Sequence, residues 1–289
     1  MRQILKPVFR PKEVFDTCVD AVSDPAGRAA LQNLSDSVPD WDETFCNLAT
    51  NQELYQIPAM PRGQSNSIVA GQATKANFVD LYDYQMARKG RPGRAYYDKV
   101  LANAPHRKCP LCGFAQATTL DHYLPKSRFP KYSVTLANLV PSCRDCQSEK
   151  HADIATSIEE QPLHPYFDPD HYFQERWLFA RVVQGALPAL IYYVDPQGRE
   201  WEPFERARLQ SHFDAYGLER RYGIEAADEL STLRGSFRSA SLPHTPLTVR
   251  DSLTEEARKH LGAATNSWRA AMYDALCRDD WYCTDGYKI

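Results

Sequence analysis

The 289 residues contain no apolar run of the length a bilayer demands; the longest, Ala189-Leu-Ile-Tyr-Tyr-Val194, covers a few residues where a spanning helix needs about 20. The opening Met-Arg-Gln-Ile-Leu-Lys-Pro lacks the apolar stretch and small-residue cleavage site of a secretory signal, so the expected location is cytoplasmic, with no membrane partner. Internal repeats and low-complexity tracts are absent, which excludes solenoids and disordered tails. No Walker A loop is present, so the chain is not expected to hydrolyse nucleotide itself. What is there suffices for a core: 43% hydrophobic residues, with 16 Tyr, 12 Phe and 5 Trp, in a length that suits one large domain or two small ones.

Charge is nearly balanced at −3, which taken alone argues against a polyanion binder. The balance conceals an asymmetry. Between Arg88 and Lys150 twelve Lys and Arg face four acids, whereas the rest of the chain is acidic. Such an island can dock a polyanion by counterion release while the remainder keeps the protein dissolved. Arg88, Lys89, Arg91 and Arg94 flank a Pro-Gly turn and are the first candidates for phosphate contact, with Lys126 and Arg128 next.

Hydrophobic periodicity predicts helices over 11–20, 25–34 and 41–56, a polar linker over 61–71, and an amphipathic helix over 75–89 in which Phe78, Leu81, Tyr82 and Met86 recur at three and four residues. A further short helix follows, marked by Tyr96, Tyr97, Val100 and Leu101. The stretch 106–165 has another texture, rich in Cys, Pro and short apolar pieces. Beyond it, 177–183 and 189–194 read as a β-hairpin, and 201–216, 224–237, 253–263 and 266–278 as helices. The pattern divides the chain into a helical region 1–104, a compact core 105–168, and a hairpin-plus-helices region 169–289.

Four of the eight cysteines, Cys18, Cys46, Cys277 and Cys283, are scattered and read as free thiols. The other four form two C-x2-C pairs, Cys109/Cys112 and Cys143/Cys146. Each pair can fold back and present two thiolates to one tetrahedral zinc ion. The 30-residue gap between the pairs exceeds the usual spacing, so it must hold structure of its own. With four thiolates such a zinc has no open position and serves structure alone. Any chemistry must lie between the pairs or just after the second.

Inside the clasp, 118–123 reads as a short strand, 136–140 as its return, and 144–152 as a helix. Asp121-His122 on a strand puts a carboxylate and an imidazole on opposite faces. At this point Cys-x2-Cys, Asp121-His-x-x-Pro-Lys126, Asn138-Leu-Val-Pro-x-Cys-x2-Cys and Lys150 together resemble the zinc-containing HNH (ββα-metal) endonucleases. Asp121-His-Tyr-Leu-Pro-Lys-Ser-Arg-Phe-Pro130 with Leu163-His-Pro-Tyr-Phe-Asp168 is similar to the HNH subunit of Septu-type anti-phage systems, including those linked to retrons. The likeness covers about 105–168.

The resemblance implies a mainly α protein with a central ββα-metal core stapled by zinc, acting on DNA. Asp121 would bind a catalytic Mg2+ or Mn2+, His122 would act as general base, Asn138 would hold the loop of the site, and Lys150 would neutralise a phosphate oxygen. It also implies an ABC-type ATPase partner. The sequence departs from the family where His or Asn directly follows the last zinc cysteine. Gln147 stands there, with His151 one helical turn on and the more distant His164 as substitutes. Two rival readings remain open: a zinc-stabilised nucleic-acid- or partner-binding module whose nuclease site has decayed, and a stand-alone restriction-type HNH nuclease.

Overall fold

The computed structural model describes residues 1–150, 154–239 and 245–289, and these fall into two compact units, Arg2–Asp168 and Met1 with Pro169–Ile289. Most regular structure is helical, and the described strands form three separate antiparallel pairs. No helix among the described residues is long and apolar enough to cross a membrane.

In the first unit, helix α1 (Pro11–Asp20) buries Val14, Phe15, Cys18 and Val19. α2 (Pro25–Gln32) starts where the Asp24 carboxylate accepts the Gly27 N–H at 2.7 Å and a proline occupies the first turn. α3 (Val38–Thr50) follows, then the short pair β1 (Ile68–Ala70) and β2 (Ala73–Thr74). The stretch 61–71, expected as a linker, is instead tied into the fold: the buried Lys75 ammonium donates to the carbonyls of Pro61 and Gly63, each at 2.8 Å.

A reciprocal cap between Thr74 and Asn77 opens α4 (Lys75–Asp80). The helix does not run on to residue 89. It widens into a π-helical turn, Leu81–Met86, where the Ala87 N–H reaches back five residues to the Tyr82 carbonyl at 2.8 Å. Leu81, Tyr82, Gln85 and Met86 all pack inward through this turn, and the chain leaves the helix at the exposed Arg88, Lys89 and Gly90. α5 (Arg94–Ala102) begins after Gly93, where an added Cβ would lie 2.6 Å from Cys18 Sγ and 2.7 Å from the Gln85 carbonyl. Only glycine fits so close an approach.

Strand β3 (Thr119–His122) pairs antiparallel with β4 (Leu139–Ser142), with Asp121 opposite Val140 and His122 opposite Leu139. The return strand starts later than the sequence pattern suggests, because Leu136–Asn138 form a 3-10 turn that carries the Asn138 side chain into the loop. Helix α6 (Arg144–Lys150) follows β4 after Cys143 alone. One cluster of buried side chains includes Phe15, Leu31, Phe78, Tyr82, Tyr97, Leu120, Val134 and Leu139. The helical residues 1–104 and the segment 105–168, distinct in sequence texture, therefore share a core.

The second unit contains the short helix α7 (His171–Gln174) and the hairpin β5 (Leu178–Val183) and β6 (Ala189–Val194). Among the described residues five α-helices follow: α8 (Pro203–Ala215), α9 (Leu218–Ser239), α10 (Pro246–Ala263), α11 (Trp268–Arg278) and α12 (Asp280–Thr284). Asn266 pins the hairpin's start: its Oδ1 accepts from the Trp177 and Leu178 N–H groups at 2.9 and 3.2 Å. A 2.6 Å ion pair between Arg176 and Asp274 adds a second tie.

Candidate metal centre and adjoining strand pair

No disulfide joins the eight cysteines, all of them among the described residues, and four converge. Cys109 and Cys112 sit on a tight turn, closed by a Gly113 N–H to Cys109 carbonyl bond of 2.8 Å and by the positive φ of Gly113, a conformation that favours glycine. Cys143 ends the strand pair and Cys146 lies in the first turn of α6, where its N–H points at Cys143 Sγ at 3.4 Å. The four sulfurs are buried and all lie within 4.8 Å of one another, with Cys112 and Cys143 at 3.9 Å. Zinc–sulfur bonds of about 2.3 Å in a tetrahedron put the sulfurs about 3.8 Å apart, so this donor set fits a structural zinc ion. Hydrogen bonds from the neighbouring thiols hold Cys112 well below the usual thiol range, while burial holds Cys109 well above it.

Alternation along β3 turns Leu120 and His122 inward and leaves Asp121 on the opposite face. His122 is buried, 6% exposed, with its ring Nε2 2.8 Å from the Ser133 carbonyl. Because a carbonyl only accepts, Nε2 carries the proton and Nδ1 keeps the lone pair. Burial holds the imidazole's pKa down to about 3, so the ring is neutral near pH 7. The Tyr82 ring meets it edge-to-face, centroids 4.4 Å apart.

Asn138, fully buried, stitches the loop between the strands. Its Oδ1 accepts from the Leu124 N–H at 2.7 Å, and its Nδ2 donates to the carbonyls of Leu124 and Tyr132 at 3.0 and 3.1 Å. Ser133 Oγ donates to the Phe78 carbonyl at 2.6 Å, which fastens the same loop to α4.

Lys150 departs from its expected place facing substrate. It is buried, and its ammonium donates to the carbonyls of His122 (2.9 Å) and Tyr123 (2.6 Å) and lies 3.6 Å from Asp121 Oδ2. The two hydrogen bonds and the ion pair turn the ammonium into the fold rather than toward a substrate. Burial raises the Asp121 carboxyl above its usual range, against the opposing pull of Lys150. Gln147 turns its amide toward the strand and donates to the Leu120 carbonyl at 3.3 Å. His151 lies outside the described residues. His164 joins an aromatic cluster, 4.3 Å from Tyr123 and 4.8 Å from Phe167 between ring centroids.

The expected phosphate-contacting residues divide. Arg88 and Lys89 are exposed and Arg91 is half-buried at the turn. Arg94 is held by Asp98 at 2.9 Å and the Ala87 carbonyl, and lies over the Tyr97 ring. Lys126 pairs with Asp83 at 2.6 Å, and Arg128 donates to the Met60 carbonyl at 2.6 Å. These last three hold the fold together, a role that residue type alone does not reveal. Sequence reasoning also missed Tyr82 and Ser133; Tyr82 belongs to a helical pattern, and Ser133 acts through its backbone.

The arrangement defines a class: a mainly helical protein in which a buried four-cysteine cluster able to hold zinc clasps an antiparallel strand pair bearing an Asp-His couple. No protein-family model and no solved structure matches the chain. Protein ea31 of Escherichia phage lambda is 34% identical over 251 residues, spanning 83% of this chain and 84% of that protein. The chain belongs to the same family as that phage protein.

Proposed function

We propose that this chain is a metal-dependent endonuclease of the zinc-containing HNH (ββα-metal) type, hydrolysing DNA phosphodiester bonds. The observation that carries the reading is the His122 ring: its proton is fixed on Nε2 by the Ser133 carbonyl and it is neutral near pH 7, beside Asp121 on a strand clasped by four cysteines. A neutral imidazole with Nδ1 unprotonated can take a proton from a water that attacks phosphorus, and then release it.

The reading calls for a hard divalent ion, for which the residues present offer one carboxylate. Mg2+ is commonly held by one or two carboxylates, keeping its waters and adding substrate phosphates. Asp121 would supply that carboxylate and Gln147 an amide oxygen. Such an ion polarises the phosphate and stabilises the leaving oxygen. Asn138 keeps the loop closed so that the Ser133 carbonyl stays on His122, and Lys150 fixes Asp121 and the strand end. Arg88, Lys89 and Arg91 would meet the backbone of the nucleic acid.

The test is plasmid nicking by the full chain with Mg2+ or Mn2+. His122→Ala is expected to lower the rate by about 10²–10⁴-fold while zinc content is unchanged. Wild type that binds DNA without nicking it favours the second reading, a zinc-stabilised binding module, for which the Lys150 ammonium against the single carboxylate Asp121 argues. An ABC-type ATPase partner, as in anti-phage pairs, belongs to the proposal. Co-expression with such a partner is expected to make cleavage ATP-dependent, whereas a stand-alone nuclease cuts equally without it.

A further inference from the structure

The π-helical turn Leu81–Met86 brings Tyr82 against His122 and, at the next residue, Asp83 against Lys126. The turn contains an oddity: Gln85 is buried, and its Oε1 has no hydrogen-bond partner among the described residues. Buried polar atoms are nearly always satisfied, and a turn that keeps one unsatisfied is not optimised for stability alone. π-helical turns concentrate at functional sites for a related reason, since they re-aim side chains that a regular helix would direct elsewhere.

The effect of this re-aiming on His122 follows from geometry. Among the described residues the imidazole has one hydrogen bond, from Nε2 to the Ser133 carbonyl. That bond and the Cβ attachment leave the buried ring one freedom, rotation of its plane about the line joining them. Tyr82 removes that freedom, with ring centroids at 4.4 Å and planes at 71°. Tyr82 is itself held. Its hydroxyl lies 3.5 Å from the Leu120 carbonyl, and the Lys126 ammonium sits 5.3 Å from its ring centroid while paired with Asp83.

We propose that Tyr82, delivered by the π-helical turn, is the positioning residue that sets the orientation of the His122 ring, and that it acts through its ring rather than its hydroxyl. The proposal rests on the nuclease reading for its kinetic consequence and on geometry alone for its structural one.

Both are tested on the full chain. With histidine side chains labelled, nuclear Overhauser contacts between the Tyr82 and His122 ring protons are expected in wild type; their absence overturns the proposal without any variant. Tyr82→Phe is expected to keep the ring-current-shifted His122 resonances and to cleave plasmid within about twofold of wild type. Tyr82→Leu is expected to weaken the Nε2 bond to the Ser133 carbonyl, read in the imidazole nitrogen-15 shifts as a loss of the pure Nε2–H tautomer, and to lower kcat by about tenfold or more at unchanged KM. An unmixed Nε2–H tautomer in a folded Tyr82→Leu protein, or its loss in Tyr82→Phe, overturns the proposal. If wild type does not cleave, the nuclease reading fails while the spectra still decide the role of Tyr82.

Discussion

Replacing Asn138 by alanine tests whether the loop between the strands is held by one side chain. The amide makes three hydrogen bonds, to the Leu124 N–H and to the carbonyls of Leu124 and Tyr132, with no solvent exposure. At about 1 kcal/mol net each, their loss removes about 3 kcal/mol, and the orphaned Leu124 N–H adds about 1–3 kcal/mol of uncompensated desolvation. The expected total of about 4–6 kcal/mol is a large part of the stability of an ordinary domain. Amide hydrogen exchange reads this at the site. The Leu124 N–H is expected to be strongly protected in wild type and to exchange at least about a hundredfold faster in Asn138→Ala, since each 1.4 kcal/mol is tenfold. Urea unfolding gives the global value, with the exposed Ser252→Ala as a control expected within about 0.5 kcal/mol of wild type. A global loss below about 1 kcal/mol, with Leu124 protection unchanged, refutes the reasoning.

Elemental analysis of purified protein is expected to find one tightly held zinc per chain, lost in Cys146→Ser; structural zinc binding is worth about 10–16 kcal/mol in small domains, so the variant is expected to lose the strand-pair fold, visible as lost amide protection over β3 and β4. Lys150→Met leaves the half-buried Asp121 without its partner and is expected to destabilise by about 3–5 kcal/mol in urea unfolding, more than substitution of an exposed lysine such as Lys259. Stability is expected to depend on pH through His122. The folded ring stays neutral down to about 3, whereas in the unfolded chain it protonates near 6.5. Between these values the unfolded state binds the extra proton, so stability present above pH 6.5 falls as pH falls, by about 1.4 kcal/mol per unit. From pH 7 to 5, wild type is expected to lose about 2 kcal/mol more than His122→Gln.

Local signals in the sequence were enough to locate some features. Two C-x2-C spacings identify the four cysteines, because a knuckle is a short-range geometry, and they do converge. The hairpin formed by β5 and β6 follows from two apolar runs around a Gly-Pro turn, and the first helix from its apolar spacing and initial proline. Features that depend on distant partners were not legible. The periodicity over 75–89 suits a single helix, and the widening at Leu81 shows only once Tyr82 has His122 to pack against. Lys150 has the composition of a surface residue until β3 and the residue after it supply two carbonyls and a carboxylate. Asp83 and Met60, which engage Lys126 and Arg128, lie 43 and 68 residues away in sequence. No spacing rule links such pairs.

The interior position of Lys150 changes how the chain would respond to ionic strength. Counting every base between Arg88 and Lys150 as a phosphate contact, twelve in all, makes the DNA binding constant fall with about the eleventh power of salt concentration. Lys150 cannot displace a counterion, and Arg94, Lys126 and Arg128 are engaged within the protein. If Arg88, Lys89 and Arg91 form the footprint, the exponent drops to about 2.7. Under the proposed function, attachment would then be loose at every sequence and only mildly weakened by salt.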